Sequence, residues 1–288
     1  MFMGSLAPVG AAIDEWRAGF NRLLATFDVP ADADIAPFDA DGVRGLQVRA
    51  RGAASDRLIV HFHSGGYVMG TSTGYRNFAC RLSAITGSTV LVPDYRLAPE
   101  NQYPAAVEDA LTVYRWCLKR SDASNTLLSG DSAGGGLTVA TLLNLREKGV
   151  AMPAGAILIS PLLDLAGDGA SMQSNAETDP LINRTMVVEM GKVYIGSIDP
   201  HQHPLASPLW GKHHGLPPML AMASNSEVLR DDAVRLVDSV RKAGGQASIL
   251  LPAGMIHVWT LFPFLVEATQ CMEAIGAFAH ERWGLSRT

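Results

Sequence analysis

Ser132 stands at the centre of Gly130-Asp131-Ser132-Ala133-Gly134-Gly135, between an apolar strand-like segment at 125–129 and an Ala/Leu-rich helical stretch at 137–146. Strand, sharp turn with a central Ser, then helix is the context in which G-x-S-x-G exposes a hydroxyl above a sheet edge. Gly130 and Gly134 flank the Ser because strand and helix pass too closely there for a Cβ. A Ser hydroxyl is a poor nucleophile at neutral pH. It needs a base to take its proton, an acid to orient that base, and donors for the oxyanion. The predicted chemistry is therefore attack of an activated hydroxyl on a carbonyl. Gly70-Thr71-Ser72-Thr73-Gly74 matches the same pattern. No strand directly precedes it, so Ser72 reads as part of a loop entering a helix.

His257, in Pro252-Ala253-Gly254-Met255-Ile256-His257, follows the last strand-like run and is the candidate base. The order Ser, acid, His fits a hydrolytic triad on an open α/β sheet. Three carboxylates compete for the acid in Ser226-Glu227-Val228-Leu229-Arg230-Asp231-Asp232. Glu227 is nearest the strand end and is assigned the role. Asp231 and Asp232 fall where a helix begins, and capping accounts for them; Asp231 is the fallback. The oxyanion donors are expected from the turn His63-Ser64-Gly65-Gly66-Tyr67, through the amides of Gly65 and Gly66, and from Ala133 after the nucleophile. His63 is expected to support that loop.

These residues need a scaffold, and the hydrophobic pattern supplies one. Strands are expected at 45–50, 57–63, 89–93, 126–129, 156–160, 219–223 and 248–251. Helices are expected at 75–86, 105–119, 135–148, 231–243 and 264–282. Short continuous apolar runs such as Ala156-Ile157-Leu158-Ile159 fit parallel strands covered on both faces. The alternation predicts an open, doubly wound α/β sheet, with ligands at the C-terminal ends of its strands. An amphipathic helix at 11–28 either packs on the core or forms a lid, and the Ala/Asp run after it reads as a linker. Residues 165–215 break the rhythm with Asp179-Pro180, Asp199-Pro200, His203-Pro204 and Ser207-Pro208, and hold a helix at 184–194. They read as an insertion that caps the site with the N-terminal helix. Four histidines there, His201, His203, His213 and His214, lack the partners of a metal site.

The 288 residues are 48% hydrophobic and 18% charged, enough for one large domain with a substantial core. The net charge of -5 argues against a nucleic-acid partner, which needs a concentrated basic face. No run is long and apolar enough for a membrane span, and residues 1–10 lack a signal-peptide pattern. The odd, scattered cysteines Cys80, Cys117 and Cys271 predict reduced thiols and a cytoplasmic location.

The chain resembles the hormone-sensitive-lipase-like esterases, the bacterial family IV branch of the α/β-hydrolases. The likeness covers residues 57–260. It rests, in this order, on His63-Ser64-Gly65-Gly66, Asp94-Tyr95-Arg96-Leu97-Ala98-Pro99-Glu100, Tyr103-Pro104-Ala105-Ala106-Val107-Glu108-Asp109, the Ser132 turn, Glu227-Val228-Leu229-Arg230-Asp231-Asp232 and Gly254-Met255-Ile256-His257. It implies a mostly parallel eight-stranded sheet, with a core at 41–164 and 216–288 and a cap from 1–40 and 165–215. It also implies a carboxylesterase that hydrolyses short-to-medium acyl esters, without cofactor or metal. The expected partner is a small ester; a homodimer is compatible with this reading. Tyr67, Asp131, Tyr194 and Trp210 are candidate substrate contacts, and Met172, Met186 and Met190 further candidate pocket liners. Asp94, Arg96 and Glu100 read as structural support. Two positions depart from the family pattern. Ser64 replaces the first Gly of His-Gly-Gly-Gly, and Glu227 replaces the usual Asp, with about 1.5 Å of extra reach. The same triad would also serve a lactone hydrolase of the ε-lactone type. A non-catalytic receptor on this fold is expected to lose the nucleophile or the base, and a dinucleotide enzyme is disfavoured by the glycine spacing after the strand.

Overall fold

A computed structural model describes residues 12–285. Residues 1–11 and 286–288 lie outside the described residues; they include the stretch expected to lack a signal peptide and the beginning of the expected N-terminal cap. The elements run α1 (Ile13–Ala25), β1 (Asp34–Ala40), β2 (Val43–Arg49), β3 (Leu58–Phe62), α2 (Arg76–Thr86), β4 (Thr89–Pro93), α3 (Ala105–Leu118), β5 (Thr126–Asp131), α4 (Ala133–Glu147) and β6 (Gly155–Ile159). They continue with α5 (Ser171–Ser174), α6 (Arg184–Ile195), β7 (Met219–Met222), α7 (Arg230–Lys242), β8 (Ala247–Leu250) and α8 (Val266–Arg282).

The strands form one eight-stranded sheet in the order β1-β2-β4-β3-β5-β6-β7-β8. From β4 to β8 neighbours are parallel, while β1 with β2 and β2 with β4 are antiparallel. Every residue of β3, β4, β5, β6 and β7 is buried. That is why those strands read as unbroken apolar runs rather than alternating ones. One face packs on α3, α4 and α7 through Val107, Leu142 and Val237. The other packs on α2 and α8 through Phe78 and Ile275. Helix α4 is buried on all sides from Ala133 to Leu145, so it shows no amphipathic stripe.

One expectation is corrected. Residues 34–40, assigned to the cap and its linker, form edge strand β1 instead. The hairpin to β2 turns at Asp41 and Gly42, both with positive φ (53° and 101°), the conformation that a two-residue Asp-Gly hairpin requires.

Helix α1 is held by packing and by polar side chains, one of them Asn21, whose Oδ1 accepts from Thr71 Oγ1 at 3.2 Å. Arg17 donates to the carbonyls of Val68 (2.8 Å) and Ala98 (3.0 Å) and makes a bidentate pair with Glu100 (2.7 Å each). Within the insertion, the side chain of Asn183 caps α6 by accepting the amide of Met186 at 3.0 Å.

Candidate active site

Ser132 occupies the turn between β5 and α4 with φ 52° and ψ -119°. A positive φ is costly for a residue with a Cβ, and the neighbourhood holds it there. The Ser132 amide donates to the Ile159 carbonyl (2.9 Å), and its carbonyl accepts from Leu162 (2.9 Å) and Gly136 (3.1 Å). A Cβ on Gly130 would strike the backbone of Gly134, and one on Gly134 would strike the Phe62 carbonyl. The close crossing inferred from these glycines is present.

His257 arrives from the loop after β8. Its Nε2 accepts from Ser132 Oγ at 3.0 Å, and its Nδ1 donates to Glu227 Oε2 at 2.9 Å. Because the carboxylate only accepts, the proton lies on Nδ1 and the lone pair of Nε2 faces the hydroxyl. The second oxygen of Glu227 accepts the Ser224 amide of its own loop at 2.9 Å. Burial opposes a charge on His257, but the hydrogen bond and charge of Glu227 outweigh it, with smaller contributions from Asp179 and Asp131. The imidazole is held above its ordinary value. Val258, next to His257, takes φ 51° and donates its amide to Ser160 Oγ at 3.2 Å.

Asp231 does not reach His257. It accepts the Ser171 amide (3.0 Å) and pairs with Arg230 (2.8 Å). The alternative serine, Ser72, is bound by amide and hydroxyl to Asp94 (2.6 and 2.8 Å) in the loop leading into α2, as its lack of a preceding strand implied.

The turn at 64–66 shows what the serine in it does. The Ser64 amide donates to Tyr75 Oη at 2.9 Å, and Tyr75 donates its single proton to Asp131 Oδ2 at 2.7 Å. The 2.6 Å contact between Ser64 Oγ and Tyr75 Oη must therefore be a bond donated by Ser64. His61 Nε2 donates to the other oxygen of Asp131 at 3.1 Å. His63 braces the turn from behind: its Nδ1 donates to the Ser64 carbonyl (2.8 Å) and its ring stacks on Tyr95 at 4.3 Å. Burial lowers the pKa of His63 and keeps it neutral. Gly65 (φ 118°) and Gly66 (φ 63°) line the cavity together with Ser132, and among the described residues none of the amides of Gly65, Gly66 and Ala133 donates to the backbone.

Ser132 and His257 open into an apolar cavity. Phe20, Leu23 and Leu24 of α1 wall it, with Leu181 and Ile182 of the insertion and Met186 and Met190 of α6. The N-terminal helix and the insertion thus meet over the site. The four suggested substrate contacts are placed elsewhere. Tyr67 and Tyr194 are buried and stacked on each other at 3.9 Å. Asp131 is fully buried behind the nucleophile turn. Trp210 bonds Asp164 (3.1 Å) under Arg235, outside the cavity wall. Packing among aromatics and bonds to carboxylates hold all four in these places. Among the suggested methionines, Met186 and Met190 line the cavity and Met172 does not. Among the described residues no cluster of three His, Cys, Asp or Glu is arranged to hold a metal. His201 bridges Asp168 and Asp199, and His213 bonds Ser239 and the Pro208 carbonyl.

Residues 59–261 match a family model described as the alpha/beta hydrolase fold. An acetyl-hydrolase of Streptomyces hygroscopicus is 39% identical over 230 residues, 79% of this chain and 77% of that one. An esterase of Acinetobacter venetianus is 31% identical over 265 residues, covering 91% and 87%. The crystal structure of an esterase from the bacterial hormone-sensitive lipase family superposes with a TM-score of 0.93 at 37% identity, covering 95% of this chain and 93% of that one.

Proposed function

The chain belongs to the α/β-hydrolase fold family, among the esterases of the hormone-sensitive-lipase type, and as such is a carboxylesterase; we propose that it works through Ser132, His257 and Glu227. The observation that carries this reading is the unbroken hydrogen-bonded line from Ser132 Oγ through His257 to Glu227 (3.0 and 2.9 Å). Ser132 attacks the ester carbonyl while His257 takes its proton, and Glu227 holds the imidazole in the Nδ1–H tautomer and stabilises its charged form. The amides of Gly65, Gly66 and Ala133 receive the oxyanion. Losing one such donor costs roughly 3 kcal/mol of barrier. His257 then protonates the leaving alcohol, and water repeats the sequence on the acyl-enzyme.

The cavity beyond Ser132 is lined by aliphatic, Met and Phe side chains, which supports short-to-medium acyl groups as substrates. The N-terminal helix and residues 165–215 together make its cap. Small-molecule esters are the partners on this reading, with no nucleic acid, cofactor or metal required. The free, buried thiols Cys80, Cys117 and Cys271 support a reducing, cytoplasmic compartment. The test is turnover of p-nitrophenyl esters of increasing chain length beside a panel of lactones. Ser132→Ala is expected to be inactive on all of them; full activity in that variant overturns the assignment. Faster turnover of lactones than of linear esters would redirect the substrate class and keep the triad.

A further inference from the structure

The loop that carries Glu227 is held by the insertion at every carbonyl from Asn225 to Val228. Asn175 Nδ2 donates to the carbonyls of Asn225 (2.9 Å) and Glu227 (2.8 Å). Thr178 Oγ1 donates to that of Ser226 (2.8 Å), and Ser171 Oγ to that of Val228 (2.6 Å). The Val228 amide in turn donates to Asp179 Oδ2 at 3.0 Å. No sequence motif announces this grip, because it joins segments about fifty residues apart.

Asp179 is the member of the set that also faces the other way. It is buried, and its second oxygen accepts the amides of Leu181 (3.0 Å) and Ile182 (3.2 Å), whose side chains wall the cavity. One carboxylate therefore ties the acyl wall to the residue that follows Glu227. Its negative charge also acts on His257, together with those of Glu227 and Asp131.

We propose that Asp179 is a positioning residue for the hydrolytic reaction: it fixes the Glu227 loop against the cap, and with it the carboxylate that orients His257. The proposal rests on the triad reading above. A carboxylate is suited to this task, because its two oxygens accept several amides at once. Asn has the same shape but one acceptor oxygen and no charge, so Asp179→Asn separates the effects from gross packing.

The experiment is steady-state kinetics of Asp179→Asn on p-nitrophenyl butyrate across pH, with thermal melting of the same samples. The expected result is a kcat loss of roughly 10- to 100-fold, the scale of a misplacement of about 1 Å, with KM little changed. The acid limb of kcat/KM should move to lower pH, because the Glu227 carboxylate that raises His257 is less well placed. In a Glu227→Gln background the same substitution should cost little more, since no catalytic carboxylate is left to position. Unchanged kcat, or a loss with the acid limb unmoved, overturns the proposal. If Asp179→Asn does not fold, Asn175→Ala tests the grip alone: it should lower kcat with KM preserved, and wild-type kcat overturns the proposal. The triad reading is judged separately by Ser132→Ala, which must be inactive whichever way Asp179 falls.

Discussion

Glu227 and Asp231, four residues apart on one stretch of chain, hold unrelated partners: Glu227 meets His257 Nδ1 at 2.9 Å, while Asp231 accepts the Ser171 amide and pairs with Arg230. Glu227→Gln is therefore expected to lower kcat by roughly 10³- to 10⁴-fold, the scale seen when the carboxylate behind a catalytic His becomes an amide. Asp231→Asn should change kcat by no more than severalfold and act on thermal stability instead. Turnover of one p-nitrophenyl ester by the two variants ranks them, and the opposite ranking would move the acid to Asp231.

The acid limb of activity follows His257. Its pKa is raised above the ordinary histidine value, because the bond and charge of Glu227 overcome the effect of burial. The base works only when neutral, so kcat/KM should fall as pH drops through an inflection lying above about 6.5. A profile of kcat/KM against pH measures it, and an inflection below that value would contradict the geometry.

Tyr75 ties the turn at 64–66 to the nucleophile turn through Ser64 and Asp131. Tyr75→Phe leaves a buried amide and a buried carboxylate oxygen each without this partner, at a cost of about 1–3 kcal/mol per group. Ser64→Ala keeps the amide bond to Tyr75 and loses only the hydroxyl contact, so it should retain most activity. Melting temperatures and kcat of both variants check the contrast.

Asp232 should make stability depend on pH. Burial pushes its carboxyl up to about 8, assisted by the charge of Asp164 and opposed by the amides of Leu163 and Asp164, and one of its oxygens has no partner among the described residues. The folded value lies above the unfolded one, near 3.9, so the folded protein keeps a proton that the unfolded chain releases. The stabilisation is whole below about pH 4 and declines as pH rises toward 8, by up to about 1.4 kcal/mol per unit. Asp232→Asn removes this titration. Its melting temperature should gain on the wild type between pH 5 and 8, and parallel curves would refute the argument.

Much of the site could be read from sequence because its chemistry sits where the chain changes periodicity. Ser132 follows an apolar strand and begins a buried helix, and His257 follows the last strand. The edge strand Asp34–Ala40 could not be read so. It pairs on one side only, carries Pro37 and two Asp residues, and exposes much of its length, so it lacks the apolar run that marked the interior strands. The same limit hid Tyr75 and Asp179. Tyr75 acts on Asp131 across 56 positions, and Asp179 on Val228 across 49; such pairs follow from packing, not from local pattern. Trp210 and Tyr194 misled for the converse reason. A large aromatic in an insertion suggests a binding surface, yet one ring is stacked away and the other is bonded to Asp164.

Arg17 is one rivet of α1, and α1 is a wall of the cavity. Peeling the helix away would turn a chamber into an open trough above Ser132. Laboratory evolution toward bulkier acyl groups should therefore find its early gains in residues 13–25.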